Sequence, residues 1–174
     1  MVNGRISCNL DIRGYIMAIP MYGQNKDGGA LKSVTESRGY LKIAAGVTLD
    51  GSEGGIVHIN DADACAIVLP AITEELHGLE YKFIMNQDAG ADITITSTDS
   101  AGNYYQGTLA VHSVDADDGF AANGTSNNII TMNATTTGGL LGSEVNVRAY
   151  NGVGWIVWGN VLGTNATGAT PFSG

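Results

Sequence analysis

From Tyr40 onward the chain consists of short apolar and alternating segments, each bounded by Gly, Asn or Asp. Alternation with a period of two is typical of β-strands, and many strands at close spacing indicate a sandwich, jelly roll or small barrel. The 25 glycines of the chain fit tight turns between strands better than packed helices. The sequence therefore predicts an all-β fold, a small β-sandwich, jelly roll or barrel with an extended N-terminal arm.

The predicted domain boundaries lie where this strand pattern begins and ends. Residues 1–39 have no sustained period, so we expect an extended docking arm there, followed by a β domain over residues 40–162 and a C-terminal tail over residues 163–174. One helical turn is predicted around Ile72–His77. The ten predicted strands lie near Tyr40–Ala44, Val47–Leu49, Gly55–Ile59, Ala66–Leu69, Glu80–Asn86, Ile93–Ser97, Gly107–Val111, Ile129–Met132, Glu144–Tyr150 and Gly154–Val161.

The strongest local prediction is a hairpin formed by the strands near Glu144–Tyr150 and Gly154–Val161. Asn151-Gly152 is the preferred two-residue hairpin turn, because both central positions take positive φ. That turn pairs Val147 with Ile156 and Val145 with Trp158, and it places Arg148 opposite Trp155 on the outer face. The predicted apolar face of the hairpin consists of Val145, Val147, Ala149, Gly154, Ile156 and Trp158.

Charge divides the chain into two parts. Residues 1–42 contain six basic and three acidic residues, a net charge of +3, whereas residues 43–174 contain two basic and fourteen acidic residues, a net charge of −12. An acidic body repels nucleic acid and anionic membranes, while a cationic arm can lie along an acidic protein surface. The residues expected to bind a partner, a capsid or a neighbouring subunit, are basic or apolar: Arg5, Arg13, Ile16, Met17, Ile19, Met21, Tyr22, Lys26, Lys32 and Arg38.

The sequence contains none of the short motifs that carry catalysis or cofactor binding. There is no nucleophile elbow, zinc-protease helix, phosphate-binding loop or dinucleotide fingerprint, and the three histidines, His58, His77 and His112, are best explained as structural or surface residues. Cys8 and Cys65 lack metal-site spacing, and we expect both to be reduced, with Cys65 packed as a small apolar group. We therefore expect no enzyme activity, no cofactor and no metal.

Clustered carboxylates leave one ion-binding hypothesis open. Asp115, Asp117 and Asp118 resemble the opening of a calcium loop, but the remaining ligand spacing is missing, and a solvated turn is the simpler interpretation. Asp61 and Asp63 form a similar, shorter pair. The glycosylation-like sites at Asn123, Asn133 and Asn165 are interpreted as turn residues.

Several segments in order resemble a pattern common in tailed-phage structural proteins, over roughly residues 46–160. The resemblance is to capsid decoration (cement) proteins, especially those of cyanophage-like viruses, and to modules of head fibres and tail proteins. The segments are Gly46-Val47-Thr48-Leu49, Gly54-Gly55-Ile56-Val57-His58-Ile59, Ala66-Ile67-Val68-Leu69-Pro70, Gly78-Leu79-Glu80-Tyr81-Lys82-Phe83-Ile84, Asp92-Ile93-Thr94-Ile95-Thr96-Ser97 and Gly154-Trp155-Ile156-Val157-Trp158-Gly159.

This resemblance implies a structural virion protein that binds the outer surface of a phage head and stabilises it. The implied partner is the major capsid protein, the implied assembly is a homotrimer, and neither nucleic acid nor membrane is expected as a partner. The protein would be made in the bacterial host cytoplasm and located on the capsid surface. The alternative is a tail or head-fibre component that binds host glycan through Tyr104, Tyr105 and Trp155, and a third possibility is a non-viral lectin-like module.

Overall fold

The computed structural model describes residues 40–53, 55–98, 104–150, 154–165 and 167–174. The predicted arm, with all ten of its proposed partner-binding residues, lies outside these ranges, as do Cys8 and the predicted turn at Asn151-Gly152. Within the described residues the fold is all-β, built from two mixed sheets in a sandwich-like arrangement, as the sequence predicts.

The described residues form twelve strands and one 3₁₀ turn, Glu74–Leu76. The seven-stranded sheet has the order β1-β3-β5-β10-β11-β7-β8, and the five-stranded sheet has the order β12-β9-β6-β4-β2. The strands are β1 (Tyr40–Ile43), β2 (Val47–Thr48), β3 (Gly55–Ile59), β4 (Cys65–Val68), β5 (Glu80–Met85), β6 (Ile93–Thr96), β7 (Tyr105–His112), β8 (Asp117–Asn123), β9 (Ile129–Met132), β10 (Glu144–Tyr150), β11 (Gly154–Leu162) and β12 (Phe172–Ser173).

The first six strands alternate between the two sheets. Within each sheet, a strand of this set pairs in parallel with the strand two places later in the chain, so that β1 pairs with β3 and β2 with β4. In the seven-stranded sheet Ile43 pairs with Ile59, which pairs with Met85. In the five-stranded sheet Cys65 pairs with Ile93, and β2 pairs in parallel with β4. Residues 40–96 therefore form three stacked coils, each contributing one strand to each sheet.

The later strands extend both sheets, mostly by antiparallel pairing. β10 pairs antiparallel with β5 and β11, and β9 pairs antiparallel with β6 and β12. β7 is the exception, because it runs parallel to β11 and antiparallel to β8. The chain thus adds antiparallel strands to one side of each parallel stack and leaves β1 and β2 at the other side.

The core lies between the two sheets and is filled by the inward residue of each alternating pair. Tyr81 stacks on Phe83 with ring centroids 5.9 Å apart, and Trp155 lies 6.1 Å from Tyr81. The Tyr105 hydroxyl donates to the Ile95 carbonyl at 3.0 Å, which joins the two sheets through a buried hydrogen bond. Burial raises the pKa of the Tyr105 phenol well above its ordinary value. Cys65 is buried in this core as a free thiol, as predicted.

The β10–β11 hairpin is present with the strand bounds expected for β10, but its predicted register is wrong. Val147 pairs with Val157 and Ala149 with Trp155, because the connection between Tyr150 and Gly154 is three residues long instead of two. A shift of one residue moves one strand's side chains to the opposite face. Trp155 therefore faces the core, and Trp158 faces outward.

Candidate functional site

The outer face of the seven-stranded sheet carries both basic residues that follow Lys42 in the sequence, and each is held in an ion pair. Arg148 Nη2 lies 2.6 Å from Glu80 Oε2, and these two residues are direct cross-strand partners on β10 and β5. Lys82 Nζ lies 2.7 Å from Glu144 Oε2. Hydrogen bonds from Lys82 and Asn146 lower the pKa of Glu144. Both body cations are therefore neutralised locally.

The carboxylates of the body form an acidic surface. Of the fourteen in residues 43–174, the structure describes all except Asp99, and every one described is exposed or half-exposed. Only Glu80 and Glu144 form an ion pair with a Lys or Arg of the described ranges. The negative charge counted in the sequence is therefore located on the surface, where an acidic body repels anionic partners and attracts cationic segments.

The predicted contact between Arg148 and Trp155 is corrected by the observed register. The Arg148 guanidinium lies 5.5 Å from the centroid of the Trp158 ring. Trp158 is the neighbour on the outer face because Asn146 and Trp158 are direct partners, one residue along from the predicted pairing. The predicted contact of a cation with an aromatic face is present, but the tryptophan is Trp158 instead of Trp155.

Two of the three aromatic residues considered for glycan binding are buried, so that prediction is wrong for them. Tyr105 and Trp155 each have 0% of their surface exposed, and glycan stacking needs an accessible ring. Tyr104 is half-exposed. Among the described residues, Tyr150 is an exposed aromatic residue that was not predicted to bind glycan, and its ring contacts His77 edge-on at a centroid distance of 4.9 Å.

A polar cluster near the end of β7 connects three strands. His112 Nδ1 lies 2.8 Å from Asp117 Oδ1 on β8, and His112 Nε2 lies 3.0 Å from Asn160 Oδ1 on β11. The hydrogen bond to Asn160 and the contact with Asp117 raise the pKa of His112 above its ordinary value. Asn160 was not singled out from the sequence, because its place beside His112 depends on the parallel pairing of β7 with β11.

The acidic segment considered for calcium does not converge on one point. Asp117 and Asp118 are consecutive residues of β8, so their side chains point to opposite faces. Asp117 contacts His112, whereas Asp118 Oδ2 accepts the Gly168 N–H at 2.9 Å. Across the described residues, no group of three or more His, Cys, Asp or Glu is placed to hold a metal ion.

Asp61, Asn123 and Asn133 act as turn residues, as the sequence predicts. The Asp61 carboxylate accepts the Asp63 N–H at 2.9 Å. The Asn133 amide oxygen accepts the backbone N–H groups of three following threonines, and Asn123 binds three following N–H groups in the same way. These side chains replace the hydrogen bonds that a tight turn cannot supply from its own carbonyls.

The remaining candidates from the sequence are His58 and Cys65, and the contacts of each are structural. His58 Nδ1 lies 2.9 Å from Asn86 Oδ1, and Asn86 Nδ2 donates to Asn60 Oδ1 at 3.0 Å. Asn60 and Asn86 directly follow the last cross-strand pair of β3 and β5. The hydrogen bond between their side chains therefore links two successive coils where these strands end. Burial raises the pKa of the Cys65 thiol, which disfavours the reactive thiolate.

Comparison of this chain with protein-family models, with curated proteins and with solved structures finds no match. In the described ranges, no helix is both long enough and apolar enough to span a membrane.

Proposed function

We propose that the protein is a structural virion component, a capsid decoration or cement protein that binds the outer surface of a tailed-phage head and stabilises it. Residues 1–39 bind the major capsid protein across capsomer joints, and the β domain projects into solvent, with the molecule assembled as a homotrimer. The observation that carries this proposal is the division of charge between a cationic N-terminal segment and an anionic body.

The structure of the body supports this division of roles. Its carboxylates are on the surface, and its two cations after Lys42 are held in ion pairs with Glu80 and Glu144. An acidic capsid surface would therefore repel the body and attract residues 1–39. Arg and Lys can bind carboxylates there, while apolar residues such as Ile16 and Met17 enter grooves between capsomers.

The mechanism of stabilisation is linkage. A protein that binds only the assembled shell lowers the free energy of the shell relative to that of the dissociated capsid subunits. This stabilisation grows with the concentration of the bound protein and with its affinity for the shell. Many copies held at neighbouring sites add avidity to this effect. A decorated head would therefore withstand heating or internal DNA pressure better than an undecorated one.

The test is binding of the full-length chain to undecorated heads, measured by co-sedimentation. Neutralising Arg5, Arg13, Lys26, Lys32 and Arg38 to Gln should abolish binding and leave the circular dichroism spectrum of the β domain unchanged. The matched control exchanges Arg for Lys and Lys for Arg at the same five positions, which keeps the charge and should keep most of the binding. Undiminished binding of the neutralised protein would refute the proposal.

The glycan-binding alternative loses the observation on which it was based. Its stacking surface required three accessible rings, and two of them, Tyr105 and Trp155, are in the core. We therefore retain one proposed function.

A further inference from the structure

Three polar side chains meet on the outer face of the seven-stranded sheet, where the parallel coils join the strands added later in the chain. Lys82 lies on β5, the last coil strand of that sheet, and Glu144 and Asn146 lie on β10, which pairs antiparallel with it. Because side chains alternate along a strand, all three project from the same face of the sheet. An amine, a carboxylate and a primary amide are thus neighbours.

The backbone brings Lys82 and Asn146 close together, because they are direct cross-strand partners. The Ala149 N–H donates to the Leu79 carbonyl at 2.8 Å, so every second residue of β10 counted back from Ala149 directs its backbone groups at β5. Asn146 is an odd number of residues from Ala149 and therefore belongs to a non-hydrogen-bonded pair. Partners in such a pair have Cα atoms about 4.5 Å apart, the closer of the two antiparallel arrangements.

The Glu144 carboxylate contacts both of these side chains. Its Oε2 lies 2.7 Å from Lys82 Nζ, and its Oε1 accepts a hydrogen bond from Asn146 Nδ2 at 2.9 Å. Asn146 Nδ2 also lies 3.4 Å from the Trp158 carbonyl oxygen. Because a carboxylate and a carbonyl can only accept, these contacts orient the amide with its nitrogen toward Glu144. One carboxylate therefore touches the amine and the amide nitrogen together.

The amide is shielded from water although it lies on an outer face. Asn146 is only 5% exposed, and its direct cross-strand partners are Lys82 on one side and Trp158 on the other. The side chains of Lys82 and Glu144 are 36% and 37% exposed, so they lie between the amide and solvent. A shielded carbonyl carbon held beside an amine favours attack by that amine over hydrolysis.

We propose that Lys82 and Asn146 form an intramolecular isopeptide bond, with Glu144 as the group that transfers the protons. Nothing in this inference depends on the proposed function, because it concerns the β domain alone. The bond would join β5 to β10 covalently, and so tie the parallel coils to the strands that follow them. A covalent link between two strands stabilises a fold by restricting the unfolded chain.

The reaction needs no group beyond these three side chains. Glu144 takes a proton from the Lys82 ammonium, and the lone pair released on Nζ attacks Asn146 Cγ to form the Nζ–Cγ bond. Glu144 then gives the proton to Asn146 Nδ2, the Cγ–Nδ2 bond breaks, and ammonia leaves with the remaining proton of the new amide as ammonium. One ammonium and one primary amide become one secondary amide and one ammonium ion. The hydrogen bond from Lys82 lowers the pKa of Glu144, so the carboxylate begins ionised and can accept the proton.

Mass spectrometry of the full-length wild-type chain is the first test. We expect its mass to be lower than the sequence mass by one molecule of ammonia. Lys82 and Arg148 are the only tryptic sites after Lys42, and trypsin does not cleave after an acylated lysine. The digest should therefore contain residues 43–148 as one internally linked peptide. An unlinked wild type, with separate peptides 43–82 and 83–148, would overturn the inference.

Two variants identify the reacting groups. Lys82→Arg keeps a cation beside Glu144 but removes the nucleophilic amine, so this variant should have its full sequence mass. Glu144→Gln keeps Lys82 and Asn146 but removes the proton acceptor, and the fraction of linked chain should fall at least about tenfold. Loss of ammonia that persists in Lys82→Arg would come from another asparagine and would overturn the inference, as would full linkage in Glu144→Gln.

The measurement separates this inference from the proposed function, because it uses no phage heads. A linked chain that does not bind heads would support the isopeptide bond and refute the capsid assignment. An unlinked chain that binds heads through residues 1–39 would do the reverse. The first test also uses the unaltered chain, so the result does not depend on the folding of either variant.

Discussion

At the scale of single residues, Gly107 shows how closely two strands of the larger sheet approach one another. Gly107 on β7 has φ of +125°, and a Cβ built there would lie 2.0 Å from the Val157 carbonyl oxygen on β11. Both the backbone angle and the lack of space require glycine. Glycine at this position therefore permits the close approach of β7 to β11.

We predict that Gly107→Ala lowers the free energy of unfolding by about 2–4 kcal/mol, through backbone strain and displacement of β11. Urea denaturation followed by circular dichroism measures the change. Gly119 on β8 has no positive φ and has nothing within 4 Å of a built Cβ, so Gly119→Ala is the matched control. That control should stay within about 0.5 kcal/mol of the wild type, and equal losses in the two variants would contradict the structure.

A pH dependence follows from His112. A histidine whose folded pKa is raised stabilises the fold fully below its unfolded pKa of about 6.5, and this stabilisation is lost as pH rises through the folded value. Its hydrogen bonds to Asn160 and Asp117 have this effect, although His112 is partly exposed and solvent screening keeps the effect below about 1 kcal/mol. Denaturation of wild type and His112→Gln should differ more at about pH 5.5 than at about pH 8.5. A pH-independent difference would exclude this role.

At the scale of secondary-structure elements, the register of the β10–β11 hairpin decides which tryptophan stabilises the core. Trp155 is fully buried beside Tyr81, whereas Trp158 is on the outer face under Arg148. We predict that Trp155→Ala costs about 3–5 kcal/mol and Trp158→Ala about 1 kcal/mol or less. Denaturation of the two variants under identical conditions compares them directly. The reverse order would restore the register expected from a two-residue turn.

The sequence predicts the existence of most strands because their residues alternate or are strongly β-forming. Gly55–Ile59, Ile129–Met132 and Glu144–Tyr150 have the bounds expected from the pattern. β8 was missed because Asp117–Asn123 contains two aspartates, a glycine and no β-branched residue. The hairpin register was missed because Asn151-Gly152 is a strong turn signal, yet the loop is one residue longer than that signal implies.

At the scale of the whole molecule, the order of strands could not be inferred from local pattern. An alternating segment such as Gly55–Ile59 has the same sequence signal in a parallel or an antiparallel sheet. The parallel pairing of β3 with β5 is also not evident from the sequence, because β4, a strand of the other sheet, lies between them in the chain. Of the candidate site, only the acidic surface could be predicted from the sequence, because it follows from the number of carboxylates in residues 43–174. The clusters around Arg148 and His112 depend on long-range pairing between strands, which residue spacing does not encode.

The three parallel coils give the described part of the chain two different sides. One side of the sandwich ends in β12 and β8, beside the C-terminal segment, and the other ends in β1, which residues 1–39 directly precede. Among the described residues, β1 is thus both an end strand of the seven-stranded sheet and the first strand after residues 1–39.

The proposed function requires that residues 1–39 bind a capsid while the acidic β domain faces outward. Electron cryomicroscopy of phage heads incubated with the full-length protein tests it most directly. We expect density for the β domain on the outer surface of the shell, connected to density for residues 1–39 on capsid subunits at capsomer joints. Heads without bound protein, or bound protein whose residues 1–39 contact only their own β domain, would contradict it.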